Sequence, residues 1–190
     1  MNINLTEVIS KNLGYAPLKK IDPNTEDLKI MNNDEQVNKL EQAAVPSVLI
    51  AMYKYTRSDE GAEKILCGDN STNWLNELLP DAKNEVVNNV AAYADCTGDE
   101  AKKTMKAVAD ETVKVIRDAN QLSVNDVKNL LGSEKNTILL YLPPALHIGE
   151  VIHDNLVDDN THKMEGPISS VMNALGNIFS ESEKEEMPKK

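Results

Sequence analysis

Apolar residues recur along most of this chain at steps of three and four, the spacing of one face of an α-helix. Leu5, Val8, Ile9 and Leu13 predict a short helix from Asn4 to Leu13 that stops at Gly14. The stretch YAPLKKIDPNTEDLKIMNND carries Pro17, Pro23 and several turn residues, so it reads as a linker with one helical turn around Glu26 to Met31. From Asp34 to Tyr55, Val37, Leu40, Ala44, Val48, Ala51 and Tyr55 define a longer helix. Pro46 lies inside it, and the lost backbone donor predicts a kink or a split near Ala44 and Val45.

Caps punctuate the chain beyond Tyr55. Ser58 opens a short helix reaching Leu66, and Gly68 closes it. A capped turn is expected over Trp74 to Leu79, then a helix after Pro80 bearing Val86, Val87, Val90, Ala91 and Ala94. Thr97 and Glu100 form a capping-box pattern before a long helix to Ala119. Ser123 and Asp126 repeat the pattern before VKNLLG, and a separate short helix is expected from Ser133 to Leu142. Pro144 then opens a helix to Leu156, and Val171, Met172, Leu175, Ile178 and Phe179 give a terminal amphipathic helix. That helix is expected to dock back onto the bundle, with service as an arm for another chain as the alternative. ILLYL is apolar enough for a strand, but it is short and lies before a proline pair, so it too is assigned to helix.

The fold expected is therefore all-α. Residues 1–33 form an N-terminal helix and linker, 34–157 a helical domain, 158–180 a C-terminal helix, and 181–190 a charged, disordered tail. Within the domain, 34–68 and 97–133 read as two copies of one design. At an offset of 65, Asp34/Asp99, Glu35/Glu100, Ala44/Ala109, Val48/Val113, Ser58/Ser123 and Leu66/Leu131 are identical. The face Leu40, Ala43, Ala44, Ser47, Val48 and Ala51 maps onto Met105, Val108, Ala109, Thr112, Val113 and Ile116.

Composition narrows the function classes. Of 190 residues 41% are apolar but only 4% aromatic, so the core must be built from aliphatic side chains, which favours packed helices. The net charge is -11, and Arg57 and Arg117 are the only arginines, so nucleic acid is not an expected partner. The N-terminus lacks a basic start followed by an apolar run, and no stretch reaches the ~20 apolar residues of a membrane span. A cytoplasmic location is expected. Cys67 and Cys96 stand apart from each other and from histidine, which fits two reduced thiols better than a zinc or redox motif.

One stretch invites a metal. In LHIGEVIHD, Glu150 and His153 have the Glu-x-x-His spacing, flanked by His147 and Asp154. A di-iron bundle needs two such motifs on different helices, and the chain has three histidines in all. On a continuous helix Ala145, Ile148, Gly149, Ile152 and Leu156 share one side, whereas His147, Glu150 and Asp154 face away and His153 lies near the boundary. Solvated side chains are the expectation; a site from His147, Glu150, His153 and His162 is the alternative. Asp22, Asn24 and Glu26 mimic a calcium loop, but Asp27 and Asn33 occupy the positions that require Gly and Glu. No Walker loop, dinucleotide turn or nucleophile elbow is present, and no cofactor is expected.

The run AVPSVLIAMYKYTRSDEGAEKIL resembles the first half of the bacterial YidB-like family, a domain of unknown function, and NNVAAYADCTGDEAKKTMKAVADETVKVI with LSVNDVKNLLGSEKNTILLYLPPAL is similar to its second half. The matching positions are Pro46, Gly61, Ala62, Glu63, Leu130, Leu131, Leu142 and Pro143, and the likeness covers residues 34–146. Family members carry "AP" in the second long helix, where this chain has Ala109-Asp110-Glu111, so a second kink is not implied. The resemblance implies an all-helical fold and transfers no active-site residue. The function expected is a non-enzymatic interaction or self-associating scaffold protein that uses Val171, Met172, Leu175, Ile178 and Phe179 for contact. The alternative is a small-molecule or metal binder with its pocket near Tyr93, Tyr141 and His147.

Overall fold

The computed structural model describes residues 4–21, 38–69, 71–119 and 123–154. The expected start of the second helix at Asp34, the calcium-like run, His162 and everything assigned to 158–190 lie outside the described residues. Within them the chain is helical: α1 (Leu5–Asn12), α2 (Lys39–Tyr55), α3 (Asp59–Cys67), α4 (Trp74–Leu78), α5 (Lys83–Ala94), α6 (Gly98–Asp118), α7 (Val124–Leu139) and α8 (Ile148–Val151), with a 3-10 turn at Pro144–Leu146. Ile138 and Leu139 of ILLYL end α7 and the rest forms the turn after it, with no strand. A bond from the Ile21 N–H to the Leu140 carbonyl at 2.8 Å fastens residues 15–21 to this turn.

Every residue from Gln42 to Met52 is buried, so over that stretch α2 has no solvent face. A helix apolar on all sides belongs inside a bundle, and α2 packs against α1, α4, α5, α6 and α7. Val45, Pro46, Val48 and Ile50 are indifferent or poor helix formers, so tertiary packing rather than propensity holds this segment helical. Leu49, Ile50 and Met52 are fully enclosed, and burial of each is worth about 1.5–3 kcal/mol. Pro46 does not split the element: α2 is continuous from Lys39 to Tyr55, because its neighbours enclose both halves.

Burial obliges α2 to satisfy its own polar groups. The Ser47 hydroxyl donates to the Ala43 carbonyl at 2.7 Å and Thr56 to that of Met52 at 2.9 Å, which removes both from the need for water. Gln42 is fully enclosed and uses its amide on main chain alone. Its Oε1 accepts from the Lys19 N–H at 2.8 Å, while Nε2 donates to the carbonyls of Lys19 at 2.9 Å and Tyr141 at 2.8 Å. The single side chain thus binds the strap after α1 and the end of α7 to the central helix.

The outer helices start where their caps dictate. The Thr97 N–H and hydroxyl donate to Glu100 Oε2 at 2.9 and 2.7 Å, and the Glu100 N–H returns to Thr97 Oγ1 at 3.3 Å. Those bonds, the backbone one first, hold the Glu100 carboxyl below its ordinary pKa. Ser123 and Asp126 make the same reciprocal box at α7. Ser58 caps α3 through the Gly61 N–H, and Gly61 cannot carry a side chain, since a Cβ would lie 2.1 Å from the Tyr55 carbonyl oxygen. Gly14 ends the first helical segment at φ +73°, as its position predicts.

Two expected helices are one. α7 runs through Gly132 and Ser133 because Val127, Leu131, Glu134 and Ile138 form one buried stripe across that point. The stripe outweighs the ~1 kcal/mol helix penalty of a glycine. Glu134 sits in the stripe as a capping group: its Oε2 accepts from the Leu5 N–H at 3.1 Å, at the first turn of α1. α1 packs on α2, α6 and α7, and its Leu5 and Ile9 are fully enclosed in the common core.

The Gln42 bonds set a stability expectation. Gln42→Ala removes the partner of three part-buried main-chain groups and is expected to cost about 2 kcal/mol in urea unfolding. A loss under about 1 kcal/mol would show that the strap is not held by this amide.

Candidate functional site

Two places concentrate polar side chains: the turn after the double proline, and a cleft beside Trp74. The turn differs from the single helix expected over Pro144 to Leu156. Pro143 and Pro144 leave only a 3-10 turn, which ends at His147 in the left-handed region with φ 47°. α8 covers one turn, and His153 is left-handed again with φ 53°. Histidine tolerates this conformation better than most residues, so both reversals fall where the sequence can bear them.

The breaks reset the side-chain register. Leu146, Ile148, Val151 and Ile152 turn into the core. His147 and Glu150 stay in solvent, 64% and 68% exposed, with Nδ1 and Oε2 3.8 Å apart. His153 is also exposed. Among the described residues no group of three or more His, Cys, Asp or Glu side chains is arranged to hold a metal ion.

Asp154 corrects the expectation that all the acids of this stretch face water. The His153 reversal aims its carboxylate inward, where it is 3% exposed and accepts from Arg57 Nη1 at 3.0 Å. Arg57 lies just past the C-cap of α2, where a cation complements the helix dipole. Lys54, one turn earlier, donates to the Ile152 carbonyl. From α5, Asn89 Nδ2 donates to the Leu146 carbonyl at 3.0 Å. Residues 146–154 are thereby clasped to α2 and α5. The sequence spacing could not reveal the Arg57–Asp154 pair, because 97 positions separate them; scarcity of arginine was the one available clue.

The cleft lies between α6 and the chain leading into α4. Its volume is about 560 Å³. Lys106, Asp110, Lys114 and Arg117 supply one wall, at helical steps of four, four and three, and Ser71 to Trp74 supply the other. Arg117 is fixed by Nε to the Ile65 carbonyl and Nη2 to the Gly68 carbonyl, both at 2.7 Å. Its guanidinium lies 5.4 Å from the Trp74 ring centroid, so it caps α3 and covers the indole together. Lys106 pairs with Asp110, whose Oδ1 is enclosed and has no hydrogen-bond partner among the described residues.

This cleft includes none of Tyr93, Tyr141 or His147, the residues expected to surround a pocket. Burial raises the Tyr93 phenol above its ordinary pKa, and the Tyr141 carbonyl is occupied by Gln42. The sequence clue to the cleft was the coincidence of a lone tryptophan with an arginine-lysine stripe on α6. Cys67 and Cys96 are separate free thiols. Burial, with Glu100 and Asp95 adding their charge, raises the Cys96 thiol, the opposite of an activated nucleophile.

No protein-family model matches the chain, and no curated protein and no solved structure matches it. Among the described residues no helix is long and apolar enough to cross a membrane.

The clasp has a measurable consequence. Arg57→Ala leaves a nearly buried carboxylate without its guanidinium and is expected to cost about 1–2 kcal/mol, discounted because the arginine is half exposed. Amide exchange at 148–154 should accelerate in step; unchanged exchange there would mean that packing alone holds the turn.

Proposed function

We propose that this chain is a non-enzymatic interaction module that self-associates, with Val171, Met172, Leu175, Ile178 and Phe179 as the contact residues and a cytoplasmic setting. The observation that carries the reading is the clasp at Asp154: the last described residues are tied to α2 by Arg57 and Lys54. Beyond them the sequence still holds a helical-period set of large apolar residues. The bundle itself keeps its apolar residues inside; among the described residues Leu140, 47% exposed, is the exposed large hydrophobic. A segment of this kind, carried on a platform with a closed core, suits helix-in-groove or helix-to-helix recognition.

An ancestral duplication fits the platform. Ser47 and Thr112, 65 apart, both donate to the carbonyl four residues back, at 2.7 Å each. Ser58 and Ser123, at the same offset, both cap the next helix. Ala43, Ala44, Ser47, Val48 and Ala51 are buried, as are Met105, Val108, Ala109, Thr112, Val113 and Ile116, whereas Leu40, opposite Met105 in the correspondence, is only half-buried. The likeness to the YidB-like family belongs to the same proposal: its helix-Pro-helix stretch falls on α2, where Pro46 is enclosed. The small-molecule alternative draws support from the cleft at Trp74 rather than from the histidine turn.

Light scattering across a wide concentration range, on the full chain and on a chain ending at Asp158, separates the outcomes. Rising mass in the full chain only is expected. A full chain that stays monomeric at its highest concentration, or a shortened chain that associates equally well, would contradict the proposal.

A further inference from the structure

We infer that the cleft between α6 and Ser71 to Trp74 binds a small organic anion that also carries an amino or hydroxyl donor. This rests on the cleft alone and stands or falls separately from self-association. Its volume of about 560 Å³ falls within the ordinary span for small-molecule sites, ~300–1,000 Å³. The wall on α6 extends over three turns, about 16 Å, enough for a ligand of several bonded groups.

Charge gives the class. The chain carries -11 overall, yet the cleft gathers Lys106, Lys114 and Arg117 against Asp110 and Asp118, three cations to two anions. With Glu111 paired to Lys114 at its rim the cleft is close to neutral, so in an acidic protein it repels an anion less than the rest of the surface does. Arg117 is already immobilised by the Ile65 and Gly68 carbonyls and the Trp74 ring, so part of the field exists before any ligand arrives. Lys106 and Lys114 are 49% and 65% exposed, and their pairs with Asp110 and Glu111 are surface pairs that an incoming anion displaces at small cost.

Asp110 adds the second requirement. Its Oδ1 has no donor among the described residues, while its Oδ2 pairs with Lys106 and the side chain as a whole is 41% exposed. A small turn of the carboxylate presents that oxygen to the cleft, where a ligand amine or hydroxyl would satisfy it. Inorganic phosphate meets the cations and offers Asp110 only a P–OH on the same charged centre. An amino acid of net negative charge or a polyol phosphate carries its donor on a separate group that can reach Asp110 while the anion stays on the cations.

The protein supplies its own reporter, since Trp74 is its only tryptophan and lines the cleft. The full chain is titrated at constant ionic strength with L-glutamate, glycerol 3-phosphate and inorganic phosphate, following indole emission. A saturable change with glutamate or glycerol 3-phosphate at lower concentration than with inorganic phosphate is expected, and which of the two wins distinguishes carboxylate from phosphate. Lys106→Ala with Lys114→Ala, both on an exposed face, should weaken it by roughly tenfold or more. Asp110→Ala should erase the preference over inorganic phosphate; circular dichroism verifies that both variants fold. No saturable change with any probe, an equal response to inorganic phosphate, or binding indifferent to the paired lysine substitution overturns the inference.

Discussion

The structure depends on one constraint: from Gln42 to Met52 α2 is enclosed on every side, and whatever is polar there must be satisfied without water. Ser47 and Thr56 meet the constraint within the helix, by donating to carbonyls one turn back. Gln42 meets it by reaching outward to main chain at Lys19 and Tyr141. Because these acceptors and donors belong to the strap and to the end of α7, satisfying one buried amide also fixes the placement of two distant segments. The C-terminal end of α2 does similar work in charged form, through Lys54 and Arg57 on residues 152–154. The central helix is therefore both core and fastener.

Local signals in the sequence carried well where a short-range bond decides the outcome. Thr97, Ser123 and Ser58 cap the helices their spacing predicts, because a cap needs only three consecutive residues beyond itself. Local signals misled where tertiary burial overrode them. Gly132 and Ser133 look like a stop and a start, yet a stripe buried against other helices carries α7 straight through. Pro46 allows a split, yet α2 remains one element because its surroundings enclose both sides of the proline. The reverse failure occurred at 144–154. A helical period was visible there, but the two left-handed histidines interrupt it so that Asp154 turns toward Arg57.

The candidate sites obey the same division. The exposure of His147, Glu150 and His153 could be read from an amphipathic pattern, since polar side chains on a short apolar segment default to solvent. The cleft at Trp74 could not, because it needs α6 and the chain before α4 brought together, and because Arg117 serves α3 before it serves any ligand. An arginine that caps one helix, covers an indole and faces a cleft shows how a structural cation also becomes part of a binding surface. The association proposed through 171–179 draws on a different part of the chain, joined to the bundle at the Asp154 clasp.

Native-state hydrogen exchange resolved by residue tests the central role of α2 most directly. If α2 is the enclosed fastener, the amides from Ala43 to Met52, proline apart, exchange only through global unfolding and are the slowest in the protein. Exchange of those amides through local opening, while α6 and α7 stay protected, would contradict the account.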